Sequence, residues 1–140
     1  MTTPVSNSDS SHANSVSSAN TAAPAVPRVL SIAGTDPTGG AGLQADLKSI
    51  AAAGGFGMSS VTALVSQNTH GVQSVLPVDQ DFLRQQLASV SGDVTVDAIK
   101  IGMLSDAATV NTVATALQQI RATGVDPVVV LDPVTVSYTH

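Results

Sequence analysis

The chain has no cysteine, no tryptophan and no glutamate in 140 residues. Without cysteine there is no disulfide framework and no thiolate metal site, which fits a reducing compartment. Only three residues are aromatic (Phe56, Phe82 and Tyr138), so no stacking platform for single-stranded nucleic acid exists. Five basic residues stand against ten aspartates, for a net charge of −5. No Lys/Arg stripe offers the footprint a phosphate backbone needs. The longest apolar runs, such as Pro127 to Leu131, are far too short to span a bilayer. No His/Asp cluster has metal spacing, and no nucleophile–base pair is visible. Nucleic acid and membrane are therefore excluded as partners, and the expected location is the cytoplasm.

What is present divides into two parts. Residues 1–27 are rich in Ser, Thr, Asn and Ala and carry one charged side chain, Asp9. Such a segment buries too little apolar surface to offset its ordering entropy, so it is expected to be a disordered tail. It lacks the basic and apolar regions of a secretory signal and the arginines of a transit peptide. From Arg28 onward, apolar segments alternate in period. Strands are expected at Arg28 to Ala33, Met58 to Ser66, Val72 to Val78 (an edge strand), Val96 to Ile101 and Val128 to Leu131. Helices are expected at Leu43 to Ala53, Asp81 to Ser91 and Asp106 to Thr123, the last capped by Ser105 or Asp106. The order β-α-β-β-α-β-α-β implies an α/β fold, a mostly parallel sheet with helices on both faces. The all-apolar Val128–Leu131 reads as the buried centre of that sheet. The chain ends soon after it, which suggests a domain truncated after about half of its length, with an apolar edge exposed.

The richest segment is Ser31-Ile-Ala-Gly-Thr-Asp-Pro-Thr-Gly-Gly-Ala-Gly-Leu-Gln-Ala-Asp-Leu-Lys48. A strand runs into a glycine-dense turn that opens into a helix, a usual place for an α/β protein to hold a small polar molecule. It is a poor Walker loop: Gly40 and Ala41 stand where Lys and Ser/Thr are needed. It is a poor dinucleotide fingerprint too, because Ser66-Gln67 replaces the acidic residue expected after the next strand. A tight turn without a ligand stays open as a reading. Asp46 is placed in the first helical turn, where the dipole favours a carboxylate with or without a ligand. Asp36 before Pro37 can simply start a turn.

Ligands in such sheets sit at the carboxyl ends of strands. Gln67-Asn68 ends one strand, and a primary amide there offers donors and an acceptor together, matching the edge of an aminopyrimidine. Bonding to loop backbone is the competing role. Lys100-Ile-Gly-Met-Leu104 ends another strand, with the polarizable Met103 suited to a flat ring or to the core. Asp132-Pro133-Val134 ends the last. His70 reads as a surface residue.

Taken together, AGTDPTGGAGLQADLK, VTALVSQNTHGVQSV, KIGML and VVVLDPV resemble, in order and spacing from about Arg28 to Val134, the bacterial hydroxymethylpyrimidine/phosphomethylpyrimidine kinases of thiamine biosynthesis. The resemblance implies a ribokinase-like fold and transfer of the ATP γ-phosphate, first to a hydroxymethyl group and then to the resulting monophosphate. It implies that Gln67, with the Val65 backbone, reads the pyrimidine, and that Met103 and Val134 pack on the ring. Gly34, Ala41 and Asp46 would line the pocket near the hydroxymethyl group, and Asp132 would help order Mg²⁺. The glycine loop would then serve the substrate rather than ATP. The anion hole and catalytic base of that family are expected beyond residue 140, so these residues alone are expected to be inactive, and the full-length protein to be a homo-oligomer. Two alternatives remain: a pyridoxal kinase-like vitamin kinase, and a non-catalytic pyrimidine-binding half-site.

Overall fold

The computed structural model describes residues 25–134. The expected tail lies outside the described residues except for its last three positions. The elements are β1 (Arg28–Ala33), α1 (Gly42–Ala52), β2 (Phe56–Val61), β3 (Ala63–Asn68), β4 (Gly71–Pro77), α2 (Gln80–Asp93), β5 (Ala98–Ile101), α3 (Ala107–Ala122) and β6 (Val128–Leu131). Four strands form a parallel sheet in the order β2-β1-β5-β6, and β3 and β4 form a separate antiparallel ribbon.

Strand β1 is central, and its alternation decides what each face receives. Leu30 and Ile32 point into a core built with Leu83 and Leu87 of α2, Ile99 and Ile101 of β5, and Val113 and Ile120 of α3. Ser31 points the other way, to Asp46 on α1. Helices thus cover both faces, as the alternating pattern implies. Helix α3 is capped by Asp106, whose carboxylate accepts from Thr109 N at 2.7 Å; that N–H holds the Asp106 carboxyl below the usual range. Helix α2 is capped by Asp79, which accepts from Asp81 N and Phe82 N. Gln80 reaches from α2 to Thr109 and Thr112 of α3, and Gln86 pairs its amide with both backbone groups of Val61 on the edge strand. That last contact blocks one position of an otherwise open sheet edge.

Three expectations need correction. The segment Met58 to Ser66 is not one strand: it breaks at Thr62 into β2 and β3. Thr62 is fully buried; its N–H donates to Ala33 O, its hydroxyl to Met103 O at 2.9 Å, and its carbonyl accepts from Val78 N. These three bonds turn the chain out of the sheet, although no Gly or Pro marks the place. Strand β6 is not a buried centre. Among the described residues it pairs with β5 alone, and Val128, Val130 and Leu131 are all more than half exposed. Asp46 is not in the first turn of α1, which holds no acidic residue; it lies one turn further in.

Candidate substrate pocket

The first strand leads to the second on one side of it and to the fifth on the other. At such a switch point the strand ends splay apart and leave a crevice. A cavity of about 440 Å³ opens there. Ala33 and Gly34 enter from the end of β1, Gly102 and Met103 from β5, and Asp132 and Val134 from beyond β6. The β3–β4 ribbon adds Val65, Gln67, Val72 and Val75. All eight residues singled out from the sequence (Gly34, Ala41, Asp46, Val65, Gln67, Met103, Asp132 and Val134) line this one cavity.

The kink at Thr62 is what brings the ribbon over the strand ends. Alternation along β3 then turns Ala63, Val65 and Gln67 to one side and Leu64, Ser66 and Asn68 to the other. The ladder slips between Ser66 and Gln67, a bulge of the kind that re-aims a side chain beside a site. Gln67 is half-buried and faces the cavity. Asn68 does not join it: its Oδ1 accepts from His70 N at 2.9 Å and shapes the exposed turn. His70 is exposed, as read. Met103 lies flat against Gly34, where an added Cβ would stand 2.7 Å from the methionine Cε. Val134 sits at the rim, half exposed.

The glycine loop is held by a residue that reads in sequence as a simple turn former. Asp36 is 2% exposed. Its carboxylate accepts from Thr38 N, Gly40 N and Ala41 N at 2.9, 3.1 and 2.8 Å, and from the Thr38 hydroxyl. Leu43 N donates to Gly34 O. The N–H groups that a phosphate loop would aim at an anion are thus spent on an internal carboxylate. Burial opposes ionisation of Asp36. It is outweighed by the Gln67 carboxamide and by the Thr38 and Ala41 donors, which hold the carboxyl at about 2. At the far end of β1, the Arg28 guanidinium and backbone N–H hold the Asp97 carboxyl at about 2 as well. Both groups are more acidic folded than unfolded, so both contribute stability above the unfolded value near ~3.9. That contribution fades as pH falls towards 2. Thermal melts are expected to shift steeply downward between about pH 4 and pH 2, and Asp36→Asn with Asp97→Asn should flatten that slope. An unchanged slope in the double variant would refute the assignment.

Sequence reasoning also missed the role of Lys100. Its side chain is three-quarters buried, and Nζ lies 3.0 Å from both oxygens of Asp46 and 3.6 Å from Asp132. Ser31 donates to Asp46 at 2.6 Å. One lysine inside the otherwise apolar AIKI strand was the available signal, since a buried cation must find a partner. No cluster of three metal-ligating side chains occurs among the described residues.

This architecture defines the class by its fold: a ribokinase-like α/β domain. The chain is similar to the crystal structure of phosphomethylpyrimidine kinase from Clostridium difficile, with a TM-score of 0.73 and 38% identity over 80% of this chain and 47% of that one. It is similar also to the pyridoxal kinase from Staphylococcus aureus in complex with AMP-PCP and pyridoxal, at 0.67 and 32% over 79% and 40% of the two chains. The profile of the phosphomethylpyrimidine kinase family matches residues 36–140, and the chain belongs to that family. It is 65% identical over 113 residues to the thiamine biosynthesis multifunctional protein of Corynebacterium efficiens. It is 55% identical over 92 residues to the hydroxymethylpyrimidine/phosphomethylpyrimidine kinase of Escherichia coli. These matches cover 81% and 66% of this chain, but the chain spans only 15% and 35% of those two proteins.

Proposed function

We propose that this chain forms the substrate side of an ATP-dependent kinase acting on hydroxymethylpyrimidine and its monophosphate in thiamine biosynthesis. The observation that carries this reading is the convergence of Gln67, Met103 and Gly34 on one cavity. Gln67 offers a donor and an acceptor to an aminopyrimidine edge. The Val65 backbone beside it adds a second polar contact, and Met103 and Val134 supply apolar faces for the ring. Bare peptide at Gly34, with Ala41 and Asp46, leaves room for the hydroxymethyl group. Asp46 is placed to accept a hydrogen bond from that hydroxyl and so to orient its oxygen. Phosphoryl transfer depends mainly on such positioning and on charge stabilisation.

ATP is the phosphoryl donor in this reading. The Asp36–Ala41 loop does not hold it, because its N–H groups are already taken. Asp132 fits Mg²⁺ in the mode of one carboxylate completed by phosphate oxygens, since its carboxylate is more than half exposed at a strand end. When bound there, the ion would neutralise charge on the phosphate oxygens. The base and anion hole belong, on this reading, to the part of the family's length that the chain does not span. The whole enzyme is a homo-oligomer of the cytoplasm; no described helix is long and apolar enough to cross a membrane.

Equilibrium calorimetry on the 140-residue chain, paired with an ATP-dependent phosphorylation assay, tests this. The expected result is binding of hydroxymethylpyrimidine without turnover. Absence of binding overturns the pyrimidine reading, and turnover by this chain alone overturns the half-site. The likeness to pyridoxal kinases supports a second reading, a pyridoxal pocket, which must satisfy a phenolic hydroxyl and an aldehyde instead of an amino edge.

A further inference from the structure

The two substrates of the proposed reaction differ in charge. One is a neutral alcohol; the other carries a phosphate monoester, at about −1.5 to −2 near pH 7. The pocket they would share is acidic. Asp36, Asp46 and Asp132 all line it. Lys100 is the single cation among its lining residues. An anion entering this cavity meets the Asp46 and Asp132 carboxylates and one ammonium group, the Asp36 carboxylate being taken up by the loop N–H groups.

From this we infer that Lys100 is the residue that admits the monophosphate, a specificity determinant for the second phosphorylation. The inference rests on the substrate reading above. Its ammonium carries three donors. One oxygen-rich partner, Asp46, is already bonded at 3.0 Å, and Asp132 stands at 3.6 Å, beyond hydrogen-bond range. Among the described residues the two Asp46 oxygens take two of these donors, which leaves one for a ligand. Nζ lies across the bare Cα of Gly102, where a Cβ would come within 3.1 Å of it. That glycine keeps the ammonium uncovered. With the neutral alcohol bound, Lys100 stays with Asp46 and holds its carboxylate toward the hydroxyl. With the monophosphate bound, it shares its charge between Asp46 and the phosphate oxygens, which offsets the repulsion from Asp46 and Asp132. The groups facing Lys100 are Ser31 and Asp46 on the α1 side and Asp132 beyond β6. No histidine lines the cavity, and the two ligands share the same ring, so a change in their affinity ratio near pH ~6 reports the phosphate.

Calorimetry on the 140-residue chain with hydroxymethylpyrimidine and phosphomethylpyrimidine separates the outcomes. In Lys100→Met, alcohol affinity should fall as Asp46 loses its clamp, and monophosphate affinity should fall about 100-fold further, the loss of a charged hydrogen bond. In the wild type, the ratio of monophosphate to alcohol affinity should rise as pH passes upward through ~6. This second measurement does not depend on the variant folding. A Lys100→Met chain that loses both ligands equally, or neither, overturns the inference, as does a wild-type ratio flat with pH. A wild type that binds neither ligand refutes the substrate reading itself.

Discussion

Gly42→Ala should unfold the glycine turn and abolish ligand binding, with a loss of stability of about 3 kcal/mol or more. Gly42 has φ +57, and an added Cβ would stand 2.5 Å from Gly34 O, 3.3 Å from Asp36 N and 3.3 Å from the Thr35 carbonyl carbon. The left-handed backbone alone costs a β-carbon about 1–2 kcal/mol. The clash adds more, because all three neighbours are backbone and none can swing aside. Shifting Gly34 O would also break its bond from Leu43 N, the joint between β1 and α1. In a domain of this size the melting temperature should drop by roughly 15 °C. Two other glycines calibrate the effect. Gly54 has φ +82 but nothing within 4 Å of its added Cβ, so Gly54→Ala should lose only about 1–2 kcal/mol. Gly92, on α2, has neither a positive φ nor a close neighbour, and Gly92→Ala should gain up to about 1 kcal/mol. Equal losses at all three positions would show that close approach of backbone at Gly42 is not what shapes the pocket.

Gln67→Ala is expected to cost about 100-fold in affinity for hydroxymethylpyrimidine, or about 2–3 kcal/mol. Truncation leaves the amino group and the ring nitrogen of the ligand facing a cavity wall with no partner, and unpaired polar groups away from water are penalised most. Gln67 does not belong to the core, but its carboxamide also supports the Asp36 carboxylate, so the melt of the variant should fall by about 1 kcal/mol. Pyridoxal, which lacks the amino edge, should lose far less. Parallel titrations of both ligands decide between the two vitamin-kinase readings. If the substitution weakens pyridoxal as much as the pyrimidine, or leaves the pyrimidine untouched, Gln67 is not its reader. In that case the convergence of residues at the strand ends no longer favours this substrate.

Much of this was legible in the chain because it depends on local period. Leu43, Leu47 and Ile50 recur at helical spacing, and α1 lies within a residue of where they place it. Asp106 precedes an apolar stripe and caps α3. The strand ends could be located, and with them Gly34, Gln67, Met103, Asp132 and Val134, because parallel strands put their ligands at one end; Val65, Ala41 and Asp46 came from the family resemblance. The break at Thr62 was not legible. Met58 to Ser66 holds no Gly or Pro to mark a break, and the turn comes from three hydrogen bonds to Ala33, Met103 and Val78. Two of those partners are remote in sequence. Lys100 was underread for the same reason, and Asp36 because its loop contacts, two to five positions on, leave no mark in the residue types. A carboxylate that closes a loop and a lysine that clamps a carboxylate 54 positions away look in sequence like any other charged residues.

The order of residues alone therefore determined the alternation of strands and helices, the parallel sheet and the family. The first two follow from side-chain period and short-range turn chemistry, the family from the likeness of several motifs in order and spacing. Only the tertiary structure decided that the ribbon folds over the strand ends, that the glycine loop is filled by its own aspartate, and that one ammonium stands among three carboxylates. Charges and hydrogen bonds act through space, over a few ångströms, whatever the distance along the chain.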